Sequence, residues 1–312
     1  MAEDADAERA GRGRGLASGD ADGIATRVLA SWDDFRARAA AADLHRASRL
    51  PGWRAQEVCT HLGTWDTEPA LDRVLASARA GAVGSIPDAD AGNAVVTAAH
   101  RDDGREEVLA ALDAARTAVA AFLRSPECAE LGLAPTQSIL GPLPVLGVVS
   151  GGCYELAVHG LDLGPTGAPA PPTRLLLAGL GALIDITGAL AARAGLAVSV
   201  TAQTPDGGWA FTSDRGGWET RPVPPGPVEG IAILGTAADI LDVSAGRASA
   251  PALLAVRRLR VQDLRGFLTL APLVEAVPGL PGGGALRGAA RTLGAAAGAA
   301  GRLPGLGFLR RP

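Results

Sequence analysis

The sequence predicts two domains, an all-α four-helix bundle over residues 23–165 and an α+β domain over residues 174–278. The chain has 312 residues, which is more than a single domain usually holds. Apolar residues recur at helical spacing in the first half, whereas short alternating runs separated by glycine turns follow in the second half. A proline-rich segment at residues 166–173 lies between them and predicts a linker.

Four helical segments make up the predicted bundle. The run Leu50-Pro51-Gly52 separates the first two, and Pro69 is expected to bend or split the second. The third helix follows a predicted polar loop and carries acidic residues in its first turn, where the helix dipole favours them. In chain order the predicted helices cover about residues 23–49, 53–80, 103–125 and 143–163.

The second domain is predicted to begin with a helix at about residues 174–195. The run "AVSVTAQTPDGGWAFTSDRGGWETRPV" then alternates in short stretches, and Asp-Gly-Gly and Arg-Gly-Gly break it in the manner of hairpins. The segment "VEGIAILGTAADILDVSAGR" predicts a strand that leads into a helix. Together these segments favour an α+β domain.

The two ends of the chain lack the patterns of packed structure. Residues 1–22 are acidic and rich in small residues, so we expect them to be disordered. They also lack the apolar core of a signal peptide, which predicts a cytoplasmic protein. Residues 279–312 are mostly glycine, alanine and arginine, and this composition predicts a low-complexity tail.

Composition narrows the classes of function. The net charge of -4 gives no electrostatic reason to expect a nucleic-acid partner. Every long apolar run is interrupted by glycine, proline or charge before it reaches the length of a membrane span, so we expect no membrane partner. The cysteines Cys59, Cys128 and Cys153 lack CxxC spacing and are interpreted as reduced thiols. We expect a monomer or a weak homo-oligomer.

A candidate metal site comes from the stretch "GGCYELAVHG", residues 151–160. Positions i and i+4 project from one face of a helix, so Glu155 and His159 can point at one atom. Helical spacing also places His61 on the inward side of the second helix. Because an unpartnered buried carboxylate is costly, a divalent metal held by these three residues is a favourable arrangement. The spacing alone leaves open a surface pair or a satisfied core histidine.

Other residues near these motifs carry weaker hypotheses. Asp162, one turn beyond the second ligand histidine, either fixes the tautomer of that ring or is a helix end without a role. Gly151 and Gly152 lie a turn before the glutamate and would leave room beside a metal. His45 and His100 lie in polar contexts, and we expect both to be solvated.

Three motifs resemble those of the mycothiol-dependent maleylpyruvate isomerase family, a branch of the DinB-like bundle superfamily. The segment "RLPGWRAQEVCTHLGTWD" is similar to a motif in which Pro-Gly-Trp precedes a helix with a ligand histidine, here His61. The segment "YELAVHGLDLG" is similar to a second motif, whose ligands match Glu155 and His159. The segment "ILGTAADILDVSAGR" is similar to the end of the family's C-terminal domain, and its arginine corresponds to Arg247. The resemblance covers about residues 24–265.

The resemblance implies a metal-binding bundle, a sterol-carrier-like C-terminal domain, a divalent metal such as zinc, and mycothiol as thiol cosubstrate. A metal-bound thiol loses its proton readily, which implies a thiolate that adds to a small electrophilic substrate. Rotation and elimination would then convert a cis double bond to trans, whereas an S-transferase would release the adduct. Arg247 is expected to act as a catalytic residue that binds an anionic group, and a surface salt bridge is its alternative.

The chain departs from the family beside the site. Leu161 stands where the family often has an aromatic residue, and Gly151-Gly152-Cys153 stands where a larger or basic residue is common. These departures bear on the substrate more than on the metal. Two alternatives stay open. The first is a non-catalytic metal-containing protein that binds an apolar ligand in the sterol-carrier-like domain, and the second is a hydrolase that activates water at the metal.

Overall fold

The computed structural model describes residues 13–65, 70–83, 88–270 and Leu273. The predictions for residues 1–12, for Pro69 and for the tail at 279–312 fall outside this part of the chain.

The described helices, in chain order, are α1 (Ala21–Ala41), α2 (Ala55–Leu62), α3 (Ala70–Arg79), α4 (Ala89–Ala99), α5 (Arg105–Arg124), α6 (Pro126–Leu131), α7 (Val145–Asp162), α8 (Thr173–Arg193), α9 (Ala237–Ser244), α10 (Ala250–Ala255) and α11 (Leu264–Phe267). The strands are β1 (Pro135–Ser138), β2 (Gly141–Pro144), β3 (Val198–Thr204), β4 (Gly207–Asp214), β5 (Gly217–Val223), β6 (Ile231–Leu234) and β7 (Arg260–Gln262). A helical N-terminal region followed by a sheet-containing region confirms the coarse prediction, and the four-helix and sterol-carrier-like assignments stay predictions.

Helices α1, α5 and α7 are the long elements of the helical region. The side chain of Asp20 caps α1 by accepting a hydrogen bond of 2.7 Å from the Gly23 N–H group. Phe35 from α1, Leu112 from α5 and Leu156 from α7 are all buried in one core cluster. The apolar residues that recur at helical spacing in these helices are the ones buried in that core. The sequence therefore predicts the ends of these helices to within a few residues, except at the C-terminal end of α1.

The helical region also holds elements that the sequence analysis missed. The predicted second helix is two helices, α2 and α3, and the predicted polar loop after them contains α4. A short helix, α6, and the antiparallel hairpin of β1 and β2 lie between α5 and α7. Each of these elements spans 11 residues or fewer, so it leaves little apolar periodicity in the sequence.

The C-terminal region is built on a five-stranded sheet with the strand order β5-β4-β3-β6-β7. Strand β3 pairs antiparallel with β4 and parallel with β6, while β5 and β7 form the two edges. The turns that precede β4 and β5 use Gly207 at φ 121° and Gly216 at φ 108°, in a region that residues with side chains rarely adopt. The hairpins predicted from Asp-Gly-Gly and Arg-Gly-Gly are therefore present.

Helix α8 joins the two regions, because one face packs on α7 and another on the sheet. A Cβ atom at Gly179 would overlap the methyl group of Ala157 on α7. A Cβ atom at Gly181 would lie 2.6 Å from the Trp209 ring on β4. These two glycines allow the close approach of α8 on both sides. The proline-rich segment at residues 166–173 therefore connects α7 to α8, two helices that pack against each other.

Helix α8 is the one described helix that is long and apolar enough to cross a membrane, with a mean hydropathy of 2.0. In the fold, 72% of that helical window is buried inside the protein. Its apolar character is accounted for by packing against α7 and the sheet, as in the core helix of a soluble protein.

Residues 13–22 correct the expectation of a disordered N-terminus. Residues Gly15–Ser18 form a short 3-10 helix, and α1 begins at Ala21. The Leu16 N–H group donates a hydrogen bond of 2.8 Å to Asp185 on α8, and the Trp218 N–H group on β5 donates one of 3.1 Å to the Gly13 carbonyl. The acidic composition gave no sign of this, because backbone hydrogen bonds and few apolar side chains hold the segment.

Candidate metal centre

Helix α2 carries the first predicted ligand in its last turn. The helix begins after Arg54, whose N–H group donates a hydrogen bond of 2.8 Å to the Glu57 carboxylate and so caps the first turn. Val58 and Cys59 are fully buried and fix the orientation of the helix. His61 then lies towards α7, with the edge of the Trp53 ring against it at 5.8 Å between ring centroids.

Helix α7 carries the other two predicted ligands, four residues apart. The Nε2 atom of His159 lies 3.4 Å from Oε2 of Glu155, and the Nε2 atom of His61 lies 3.8 Å from the same oxygen. The two imidazole rings lie 5.1 Å apart between centroids, at an angle of 77°. One donor atom from each residue falls within 4.8 Å of the other two. The structure therefore brings the three predicted ligands together in a group that could hold a metal ion.

The Nδ1 atoms of both histidines form hydrogen bonds on the outer side of the group. His159 Nδ1 lies 3.0 Å from Oδ2 of Asp162, and His61 Nδ1 lies 2.8 Å from Oδ1 of Asn93. Because a carboxylate or an amide oxygen accepts, each Nδ1 carries the proton and donates it. The Nε2 atoms are left to face Glu155, which is the arrangement of histidines that ligate a metal.

The charges of the group favour a cation at its centre. Burial raises the pKa of Glu155, but hydrogen bonds from His159 and His61 outweigh it and hold the pKa well below its ordinary range. Burial lowers the pKa of His159, whereas hydrogen bonds with Asp162 and Glu155 raise it, to about 9. Two carboxylates thus stabilise a positive charge between them, whether a proton or a metal ion supplies it.

The group is open to solvent on one side. His159 is nearly buried, with 8% of its side chain exposed, whereas 48% of the Glu155 side chain is exposed. Protein atoms nevertheless surround that carboxylate closely enough to desolvate it, so it lies in a recess rather than on a convex surface. A Cβ atom at Gly152 would meet no other atom within 4 Å. The open space predicted beside the two glycines is therefore present at Gly152, whereas a Cβ atom at Gly151 would contact Ile186 at 3.5 Å.

Asp162 connects the group to the sheet-containing region. Its side chain is fully buried and accepts two hydrogen bonds of 3.1 Å from Arg247, through Nε and Nη2. The Asp162 carbonyl also accepts a hydrogen bond of 3.0 Å from the Arg49 N–H group, and Arg49 pairs with Asp242 at 2.6 Å. Hydrogen bonds from His159 and Arg247 outweigh burial and lower the pKa of Asp162, so it is ionised. Its hypothesised contact with the histidine is confirmed.

Arg247 lies where the chain turns back after α9. Gly246 has a φ of 69°, which directs the following residue towards α7 and explains why glycine precedes the arginine. The Arg247 side chain is 18% exposed. Its Nε and Nη2 atoms donate hydrogen bonds to Asp162, and its Nη1 atom donates one to the Ala245 carbonyl. The anion that it meets is thus part of the chain, and its contact with a substrate stays a prediction.

Several weaker candidates lie away from the group. Cys59 and Cys153 are buried free thiols, and burial raises the pKa of Cys59 to about 12, so neither acts as a ready nucleophile. His45 is exposed, as expected. His100 is not simply solvated: it stacks on Trp65 at 3.6 Å between centroids and lies 2.7 Å from the Asp103 carboxylate.

Asn93 is the site residue that the sequence analysis missed. It lies on α4, in the segment interpreted as a polar loop. The Asp88 side chain accepts a hydrogen bond of 3.0 Å from the Ala91 N–H group and caps this helix. An aspartate followed by "ADAGNAVVTAA" is a start signal that would have indicated a helix.

Residues 25–164 match the sequence model of the mycothiol maleylpyruvate isomerase N-terminal domain. This region is similar to the N-terminal domain of that family. The matched region includes His61, Glu155, His159 and Asp162, whereas Arg247 lies beyond its end.

Solved structures similar to the chain include two of a mycothiol-dependent maleylpyruvate isomerase. One is a histidine-to-alanine mutant of the mycothiol-dependent maleylpyruvate isomerase, at 17% identity, with a TM-score of 0.46 over 81% of this chain and 96% of that one. The other is the mycothiol-dependent maleylpyruvate isomerase itself, at 16% identity and a TM-score of 0.47, with the same coverage of both chains. No curated protein matches the chain. The similarity to the mycothiol maleylpyruvate isomerase family rests on the domain match.

Proposed function

We propose that the chain is a divalent-metal- and mycothiol-dependent isomerase that acts on a small electrophilic substrate. The observation that carries the proposal is the convergence of His61, Glu155 and His159, within 4.8 Å of one another, inside a region similar to the mycothiol maleylpyruvate isomerase N-terminal domain. The similarity to that family supports isomerase chemistry and mycothiol, and the three donor atoms support the metal.

The chemistry of the donors fits a divalent metal such as zinc. Two imidazole nitrogens and one carboxylate oxygen are common ligands of that ion, and such sites keep a further position open. Both imidazoles have their Nδ1 proton held by an acceptor, which leaves Nε2 available. The half-exposed Glu155 and the free space at Gly152 provide the open side. The same donors also accept other divalent ions.

A divalent metal bound here would lower the pKa of a thiol and supply a thiolate near neutral pH. The protein's own part is orientation. Asp162 holds the proton on Nδ1 of His159, and Arg247 holds Asp162 through two hydrogen bonds, so the ring cannot turn away from the recess. The Trp53 ring against His61 limits movement of the first ligand in the same way.

The reaction class is cis–trans isomerisation through reversible thiol addition. Addition forms a carbon–sulfur bond and moves the π electrons onto a conjugated carbonyl group. The carbon–carbon bond can then rotate, and elimination restores the double bond and the thiol, so electrons balance without an oxidant. An S-transferase would instead release the adduct, and the two reactions differ in whether mycothiol is consumed.

An isomerisation assay with mycothiol and a maleylpyruvate-type cis substrate tests the proposal, with the trans isomer and free mycothiol both quantified. We expect activity that depends on mycothiol and is lost in His61→Ala and Glu155→Ala. His45→Ala, an exposed histidine outside the group, is the matched control and should retain activity. Turnover without mycothiol would contradict the proposal and favour a hydrolase or another activity. A protein that binds an apolar ligand but converts no substrate would support the non-catalytic alternative.

A further inference from the structure

The two histidines of the metal centre are held by chemically different partners. Asp162, on the same helix as His159, is fully buried and charged. Asn93, which accepts the Nδ1 proton of His61 at 2.8 Å, is a neutral amide on a separate helix, α4. What we infer from this difference rests on the proposed function, because it takes His61 to be a metal ligand.

Helix α4 has little apolar packing of its own. Each of its described side chains is at least partly exposed, and Val95 is 69% exposed. Its C-terminal end is held by Gln56, whose Nε2 atom donates hydrogen bonds to carbonyl groups at His100, Arg101 and Asp103 over 2.9 to 3.3 Å. The stacking of His100 on Trp65 fixes the same end. In the middle of the helix, the hydrogen bond from His61 to Asn93 provides a polar tether to α2.

Charge explains why an amide suits this position. Glu155 and Asp162 already bring two carboxylates to the group, and Arg247 pairs with the second. An amide oxygen accepts the Nδ1 proton of His61 without adding a third negative charge to a half-open recess. The amide therefore fixes the ring while it leaves the net charge of the centre unchanged.

We propose that Asn93 is a positioning residue for His61, and that through it helix α4 is coupled to the metal centre. Hydrogen bonding of this kind orients a ligating imidazole, and its loss typically weakens metal affinity by about 10- to 100-fold. Because α4 is held by few apolar contacts, the bound metal fixes His61, His61 fixes Asn93, and Asn93 fixes the helix. The coupling is reciprocal, so displacement of α4 weakens metal binding.

Two substitutions at one position separate positioning from structure. Asn93→Leu removes the acceptor and keeps the branched shape of the side chain, whereas Asn93→Asp keeps an acceptor. Val95→Ala, on an exposed face of the same helix, is the matched control. The dissociation constant for Co²⁺ is measured by competition with a chelator, and the melting temperature is measured on metal-free protein. We expect Asn93→Leu to bind Co²⁺ about 10- to 100-fold more weakly. Val95→Ala should stay close to wild type, and Asn93→Asp should bind Co²⁺ at least as tightly as wild type, because it keeps an acceptor and adds a negative charge. The melting temperature of metal-free Asn93→Leu should fall by no more than about 2 to 4 °C, because only one partly exposed hydrogen bond is lost.

Hydrogen exchange tests the coupling to the helix. Metal should slow amide exchange in α4 of the wild type, and this protection should be absent in Asn93→Leu at a Co²⁺ concentration that saturates the variant. Equal Co²⁺ affinity in Asn93→Leu and wild type would overturn the inference while the metal centre stands. Exchange in α4 that ignores the metal would overturn the coupling. A wild-type protein that binds no Co²⁺ would overturn the metal centre and this inference together.

Discussion

Replacing Asp162 by asparagine removes the charge that joins His159 to the sheet-containing region. The fully buried carboxylate accepts hydrogen bonds from His159 Nδ1 and from two nitrogens of Arg247. An asparagine side chain has one acceptor oxygen, so its NH₂ group must face a donor from either the histidine or the arginine. At least one favourable contact then becomes a repulsive one.

The size of the effect follows from burial. Breaking a buried ion pair by removing one partner usually costs about 3 to 5 kcal/mol, because a charge is left without compensation. Arg247 keeps 18% of its side chain exposed, so water relieves part of that cost. We therefore expect Asp162→Asn to lower the free energy of unfolding of the metal-free protein by about 2 to 3 kcal/mol. We also expect it to weaken metal binding by about 10- to 100-fold.

Asp113→Asn is the matched control, because it breaks the pair between Asp113 and Arg36, whose side chains are 53% and 29% exposed. A pair at this exposure is worth about 1 kcal/mol or less, and it does not touch either histidine. Urea unfolding of the metal-free proteins gives the stability, and chelator competition gives the metal affinity. If the two variants lost equal stability and both kept wild-type metal affinity, the role assigned to Asp162 would be refuted.

Three further predictions concern space, packing and pH. Gly152→Leu should fold and bind metal normally but lose isomerase turnover, because its side chain fills the open side of the recess; unchanged turnover would show that mycothiol enters elsewhere. Gly181→Ala should lower the free energy of unfolding by about 1 to 3 kcal/mol, because the added methyl group meets the Trp209 ring, and a neutral result in urea unfolding would contradict this packing. Burial raises the pKa of Asp185 despite its hydrogen bonds from Thr220, Leu16 and Trp218, so the folded state keeps that proton to a higher pH than the unfolded state. The free energy of unfolding of the wild type should therefore fall relative to Asp185→Asn as the pH rises above about 4, and a pH-independent difference would show that the sign is wrong.

The helix geometry of the site could be predicted because it is local. Glu155 and His159 share a face of α7 by their spacing alone, and the buried Val58 turns His61 inward on α2. Inward-facing positions on both helices therefore placed the three residues in one hypothesis, and the resemblance to the mycothiol maleylpyruvate isomerase motifs added support to it.

Apart from the contact between Asp162 and His159, which follows from helical spacing, the contacts around the ligands could not be predicted, because they are long-range or bury little apolar surface. Asp162 and Arg247 lie 85 residues apart, and nothing in the sequence pairs them. Asn93 lies on a helix without apolar periodicity, and the N-terminal segment docks mainly through backbone hydrogen bonds. In each case the fold decides which distant atom donates or accepts the hydrogen bond. The spacing of residues along the chain does not give that pairing.

The central claim is that His61, Glu155 and His159 hold one divalent metal ion. Metal content per chain, measured on the purified wild type and on His61→Ala, Glu155→Ala and His159→Ala after equal metal loading and dialysis, tests it most directly. We expect about one ion per chain in the wild type and in the His45→Ala control, and a strong loss in each of the three variants. Equal metal content in the wild type and all three variants would contradict it.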